Sequence, residues 1–328
     1  MSLMYSDVSF DKNANKNQVN FLRQQSFLRN VLERLEKEPE IVIKELKEVL
    51  DEIRNPDRIT VHMATDLQRL SANRNPSEVW KNFLPMDQKT KNFKLNIIPE
   101  SKVRLVEDFQ NITGFITGVG SVESAYLQQS TASISDYRHW DLPSLLVAIQ
   151  YLTQLEGPMW KEIRGKGLAY SYRITLNANE GMLSLYLTRA AQLAGAYEEA
   201  QNILSNHING SRAWEDDLLE SAKSSLIYEV IDREAQISNV MQQSLFAYYR
   251  EVPPSYNKDL LSKIVKVTVE DVKKAAVKYF TPLIQASTSK TVIVCHPSKS
   301  QEIIDVLNSK FNHNLKYIEN IEDSRFSK

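Results

Sequence analysis

The stretch from Leu168 to Thr188 constrains the fold more than any other part of the chain. Two apolar-rich runs, 168–176 and 182–188, flank Asn177-Ala178-Asn179-Glu180-Gly181. A short loop of Asn and Gly between such runs is the chemistry of a β-hairpin. In the second run Leu183, Leu185 and Leu187 alternate onto one face, as a half-buried strand requires. Helical patterns stand on both sides. Asp141 with Pro143 opens a helix through Leu145, Ile149 and Leu152 that stops near Gly157-Pro158. After the hairpin a helix is expected over 196–207. One long helix then runs from about Trp214 to Tyr249, with Leu219, Ala222, Leu226, Val230, Ile237, Val240 and Leu245 on its apolar face and Pro253-Pro254 at its end.

The remaining elements complete an α+β reading. Gly114–Gly120 and Val122–Tyr126 suggest an early strand or strand pair. Thr268 and Asp271 form a capping-box-like start for a helix carrying Val272, Ala276, Tyr279 and Phe280. The run Thr291–Cys295 follows as a strand, and a helix over 298–311 closes the domain. Upstream, residues 1–70 read as the closing helices and strand of a truncated α+β domain. Leu28, Val31, Leu32 and Leu35 mark one amphipathic helix. Pro39 opens another with Val42, Leu46, Val49, Leu50 and Ile53, stopped by Asn55-Pro56-Asp57. Ile59–Met63 then alternates as a short strand whose sheet partners are expected on sequence upstream. Residues 71–104, interrupted by Pro76, Pro85 and Pro99, read as a linker, and 105–328 as the second α+β domain. Helix 41–53 feeding strand 59–64 matches helix 269–280 feeding strand 291–296 in order and rough spacing, which hints at an internal duplication.

Composition removes whole classes of function. The chain has 328 residues, 42% hydrophobic and 25% charged, and a formal charge of -1, so no global field points to nucleic acid or an anionic membrane. No apolar run reaches the roughly 20 residues of a membrane span, and the polar start lacks a signal-peptide core, so the cytoplasm or the mitochondrial matrix is expected. The single cysteine, Cys295, ends a β-branched run and reads as a buried structural thiol. Without a secretory signal, the sequons at Asn111 and Asn209 read as chance.

The chemistry-bearing motifs are sparse. His62, His139, His207, His296 and His313 are too scattered for a His-Glu-x-x-His or His-x-x-Glu-His metal site. His62 and His296 are expected at strand ends, His139 before a helix, and His207 and His313 in polar turns. Gly118-Val119-Gly120 is only a fragment of a dinucleotide fingerprint, and Glu215-Asp216-Asp217 suits a helix first turn. One segment stands out, Trp160 to Tyr172, which carries Arg164, Gly165, Gly167, Tyr170 and Tyr172 at a passage from helix to strand. The bland reading is a cationic helix end with a glycine stop, feeding a strand whose two tyrosines pack on one face. The functional reading is a forked cation at Arg164 and a hydroxyl at Tyr170 near the mouth of a sheet.

The run Ile163-Arg-Gly-Lys-Gly-Leu-Ala-Tyr170 resembles the arginine-to-tyrosine motif in the C-terminal half of pitrilysin-, insulysin- and presequence-protease-type zinc metallopeptidases. The order of elements over 142–311 is similar too, and Asn20-Phe-Leu-Arg-Gln-Gln-Ser-Phe-Leu28 resembles the end of the preceding domain. The resemblance implies α+β domains, each an antiparallel sheet packed by helices, forming two halves that close around a chamber. It implies zinc in the full-length enzyme, held by the N-terminal half through a His-x-x-Glu-His site, with no complete catalytic site in this chain. Arg164 and Tyr170 would then reach the substrate backbone, with Tyr172, Gly165 and Gly167 as possible additional contacts. The implied partners are the N-terminal catalytic half and an unfolded peptide. The alternative is a degenerate homologue that binds peptides or serves assembly without cleaving anything.

Overall fold

The run Ser289–Cys295 carries almost no polar alternation because both of its faces are covered. In the computed structural model, which describes residues 1–11, 14–55, 59–73, 75, 76, 78, 98–104 and 112–319, this strand lies inside a six-stranded sheet. In chain order the first helices are α1 (Ser2–Ser9), α2 (Asn15–Gln18), α3 (Phe21–Lys37), α4 (Pro39–Arg54) and α5 (Leu67–Asn73). Strands β1 (Gly114–Gly118) and β2 (Ala125–Ala132) follow, then α6 (Leu142–Thr153), β3 (Ala169–Asn177) and β4 (Met182–Ala190). Helices α7 (Leu193–Ile208), α8 (Asp216–Asp232), α9 (Ile237–Tyr249), α10 (Tyr256–Ile264) and α11 (Val269–Ile284) lead to β5 (Ser289–Cys295), α12 (Pro297–Phe311) and β6 (Leu315–Ile318).

The chain divides into two compact units. The larger comprises Met1–Asn20, Pro99–Asp232 and Val252–Lys328, and the smaller comprises Phe21–Ile98 and Arg233–Glu251. In the larger unit the strand order is β3-β4-β2-β5-β1-β6. The β3–β4 hairpin forms as expected, closing from Asn177 paired with Met182. The sheet, however, is mixed rather than antiparallel, since β1 runs parallel to both β5 and β6. Parallel strands cannot be joined by a tight turn, and α12 carries the chain from β5 to β6, which flank β1 on either side. Strand β6 was not anticipated; its Leu315-Lys-Tyr-Ile is too short to show a period.

Alternate residues of β5 enter different cores. Ile293 and Cys295 join the main core with Leu127, Leu183, Leu185, Leu187, Tyr197 and Phe280. Val292 and Val294 instead meet Met4, Tyr5, Val8, Phe10 and Ala14. Residues 1–20 therefore pack on the sheet as part of the larger unit, and the stretch expected as one piece over 1–70 divides after Asn20. Their anchors are polar as well as apolar: Tyr5 Oη donates to Glu180 Oε2 at 3.0 Å, and Asn17 Nδ2 donates to the Phe10 carbonyl at 3.1 Å.

Two further expectations change. Residues 59–64 adopt no regular structure where a strand was expected, so the proposed duplication loses its first strand. Among the described residues no strand pairs with them, and a strand without a partner leaves its backbone groups unsatisfied. The long helix over 214–249 is two helices, α8 and α9, because burial of its stripe ends at Val230 and α9 buries none of its residues. Most of the linker over 71–104, with Pro56-Asp57 and Asn111, lies outside the described residues.

The capping box of α11 is present as read. Thr268 Oγ1 accepts from the Asp271 amide at 3.2 Å, and Asp271 Oδ2 accepts from the Thr268 amide at 3.0 Å. These Thr268 contacts hold the Asp271 carboxyl below its usual range. Thr268→Ala is expected to cost about 1 kcal/mol, read as a lowered urea midpoint at neutral pH.

Candidate functional site

The Arg164 to Tyr170 segment is built on an unusual turn. After α6, Met159 and Ile163 are fully buried and pin a single π-helical turn, Trp160–Arg164. The Gly165 amide donates to the Trp160 carbonyl at 2.8 Å, the five-residue span of such a turn. The two glycines have different backbone reasons. A Cβ on Gly165 would lie 2.5 Å from the Lys161 carbonyl oxygen, so the chain passes too closely for a side chain. Gly167 has φ +70, the left-handed region that glycine enters without strain. The turn closes through Leu168, whose amide donates to the Ile163 carbonyl at 3.0 Å and whose carbonyl accepts from Ala191 and Gln192.

This turn delivers Tyr170 to the outer strand of the sheet, β3, with its side chain 58% exposed. The Arg164 guanidinium lies 4.9 Å from the Tyr170 ring centroid. A second guanidinium, that of Arg189, lies 5.7 Å from the same ring. Arg189 has φ 51 at the end of β4, where the register against β2 shifts between Ala125 and Leu127. That is the geometry of a bulge, which re-aims a side chain at a sheet's rim. Two residues along, Tyr172 packs partly against the main core, and burial raises its hydroxyl pKa, with Arg164 acting in the opposite direction. Tyr170 is thus the available hydroxyl of the pair. Arg189 escaped the sequence reading although the hairpin register places it opposite Tyr170.

Held this way, the segment presents one phenol and two forked cations at an open sheet edge. Guanidinium groups beside a ring gain from its quadrupole while keeping N–H donors outward. Such a set donates hydrogen bonds to carbonyl oxygens or carboxylates.

No family model matches the sequence. The chain is 27% identical over 273 residues to an uncharacterised protein of Caenorhabditis elegans, covering 81% of this chain and 26% of that protein. It is 29% identical over 165 residues to the mitochondrial presequence protease of Eremothecium gossypii, covering 50% of this chain and 16% of that protein. It therefore spans about a quarter or less of these relatives. Among solved structures, a protease from Helicobacter pylori superposes with a TM-score of 0.52 at 16% identity, over 68% of this chain and 53% of that one. The fold is thus shared with that protease, and one of the relatives is itself a presequence protease.

Among the described residues, no three His, Cys, Asp or Glu side chains converge as a metal site. The described residues therefore do not fit zinc. The histidines serve packing and backbone instead. His207 and His313, expected in polar turns, are buried. His207 sits in α7, donates from Nδ1 to the Ile203 carbonyl at 2.7 Å and packs on Trp214 and Tyr151, and burial lowers its pKa. His313 bridges Thr113 Oγ1 at 3.1 Å and Tyr197 Oη at 2.8 Å. His296 caps α12, and His139 stacks on Trp140 while accepting from the Asp141 amide. His62 lies in irregular chain rather than at a strand end. Cys295 is fully buried, and burial pushes its thiol up to about 11, which keeps it protonated and inert at neutral pH.

Asp141, read as a helix cap, gives α6 no side-chain cap. Its carboxylate instead accepts from Lys278 Nζ and Tyr279 Oη, each at 2.7 Å.

Proposed function

We propose that this chain is the noncatalytic C-terminal half of a zinc metalloendopeptidase, which closes over an N-terminal half and positions unfolded peptides for hydrolysis. The observation that carries this reading is the exposed Tyr170 ring flanked by Arg164 and Arg189 at the rim of the sheet. Its phenol is set to donate to a peptide carbonyl as that oxygen gains charge, while Arg164 steadies the neighbouring main chain. The metal belongs to the other half, and this chain alone is inactive. Relatives several times longer than this chain, one of them a presequence protease, support a larger whole. That relative is mitochondrial, which favours the mitochondrial matrix over the cytoplasm.

The test is co-expression of the chain with the sequence that precedes it, followed by an assay for zinc-dependent cleavage of an unstructured peptide. Cleavage that requires both halves is the expected result. Silence from a pair with an intact zinc motif would overturn the reading in favour of a degenerate homologue that binds peptides or serves assembly.

A further inference from the structure

A surface cavity of about 370 Å³ in the larger unit is lined by Arg138, Lys263, Lys266 and Lys274. It shares no residue with the Arg164 to Tyr170 segment. Two acids also line it, Asp141 and Asp271, and both are already engaged. Asp141 holds Lys278 and Tyr279. Asp271 takes both the amide and the hydroxyl of Thr268 in the cap of α11. The cations are matched less closely, Lys274 acting on the Asp271 carboxylate only through space. Among the described residues, no ion pair within 4.0 Å involves Lys263, Lys266 or Lys274, and Arg138 reaches only Asp136, at 3.9 Å. The cavity thus has four cationic side chains against two carboxylates that are bonded within the protein.

Pro143 and Ser144 belong to the first turn of α6, and Asp271 and Lys274 to the first two turns of α11, so the starts of two helices border the same space. The α11 end is closed by its own capping box, and the first α6 amide bonds the His139 carbonyl, so the positive character of the cavity comes from its side chains. The three lysines are exposed, which costs desolvation only when a ligand arrives. The volume lies at the small end of ligand sites, too small for a folded partner and suited to a compact anion.

We infer that this cavity binds a small multivalent phosphate anion, the oligophosphate chain of a nucleotide or a free polyphosphate, through Lys263, Lys266, Lys274 and Arg138. Lysines suit such a ligand because an ammonium acts as a point charge toward phosphate oxygens without demanding planar geometry.

Calorimetric titration of the 328-residue chain with sodium tripolyphosphate at fixed ionic strength tests this. One saturable site is expected, weakened roughly three- to tenfold by Lys266→Ala or by Lys274→Ala. Lys266→Arg is expected to keep binding. Lys273→Ala, on the same helix but outside the lining, is expected to change nothing. Circular dichroism reports that each variant is folded. ATP binding as tightly as tripolyphosphate supports a site for the phosphate chain itself, and ATP binding more tightly supports a nucleotide site. Absence of saturable binding overturns the inference, as does binding indifferent to Lys266 and Lys274. An oligoglutamate peptide that binds as tightly through the same lysines also overturns it, in favour of an acidic peptide. None of these outcomes depends on peptidase activity.

Discussion

Under the proposed function, Tyr170→Phe in the full-length protein is expected to lower peptide turnover by about a hundredfold to a thousandfold, the loss of a donor to a developing oxyanion. The substitution removes one hydroxyl and keeps the ring that Arg164 and Arg189 flank. Because the side chain is more than half exposed, the unfolding midpoint should not move. A contact made only in the transition state lowers kcat and kcat/KM together, so KM should hold nearly constant. Steady-state kinetics on an unstructured peptide, beside a thermal melt, make the comparison. Unchanged cleavage by a folded Tyr170→Phe protein would sink the assignment.

Acid should destabilise the larger unit through His313. The buried imidazole has a hydroxyl partner at each ring nitrogen, Tyr197 Oη at 2.8 Å from Nε2 and Thr113 Oγ1 at 3.1 Å from Nδ1. Burial lowers the His313 pKa to about 4, against an ordinary 6.5. Between those values the unfolded chain binds a proton that the folded chain refuses. The contribution to stability is therefore complete above pH 6.5 and is lost as pH falls toward 4. His207 is shifted in the same direction, again by burial. From pH 7 to pH 5 the loss from His313 alone is about 2 kcal/mol. Urea unfolding at the two pH values measures it. His313→Asn should show a correspondingly shallower pH dependence, and an unchanged slope would refute the assignment.

What could be read from sequence follows from the range of the forces involved. The hairpin was legible because its turn residues and its alternation are local, and so was the capping box at Thr268. Its partners were not. Parallel pairing of β1 with β5 and β6 depends on residues far apart in the chain, and no local pattern announces it. The segment 59–64 shows the opposite failure, since strand-like composition without a neighbouring strand forms no ladder. In the candidate site Arg164 and Tyr170 were visible as a motif, whereas Arg189 needed register. Counting back from Asn177 paired with Met182 sets Tyr170 across from Arg189, between the observed pairs Ala169 with Ala190 and Ser171 with Thr188. His207 and His313 were misplaced because burial of a polar ring in a helix or behind a helix end leaves no compositional trace, whereas His139 before α6 and His296 after β5 stand where they were expected.

The smaller unit shows how propensity differs from packing. Helices α3 and α4 form with the stripes read from their sequence, yet Leu28, Leu32, Leu46, Val49 and Ile53 are all more than half exposed. Helical periodicity fixed the element and its apolar side without supplying the surface that side would cover.

The strand order has a consequence in time. Strand β1 has only β5 and β6 as neighbours, and Lys290 Nζ bonds the Ile112 carbonyl across 178 residues. At a synthesis rate of about 5–20 residues per second, β1 leaves the ribosome on the order of ten seconds or more before its first partner is made. The β3–β4 hairpin and β2 can assemble in that interval, but β1 waits as an unpaired apolar strand. The nascent chain is most exposed to mispairing there, and the last strands to be made decide when the sheet becomes whole.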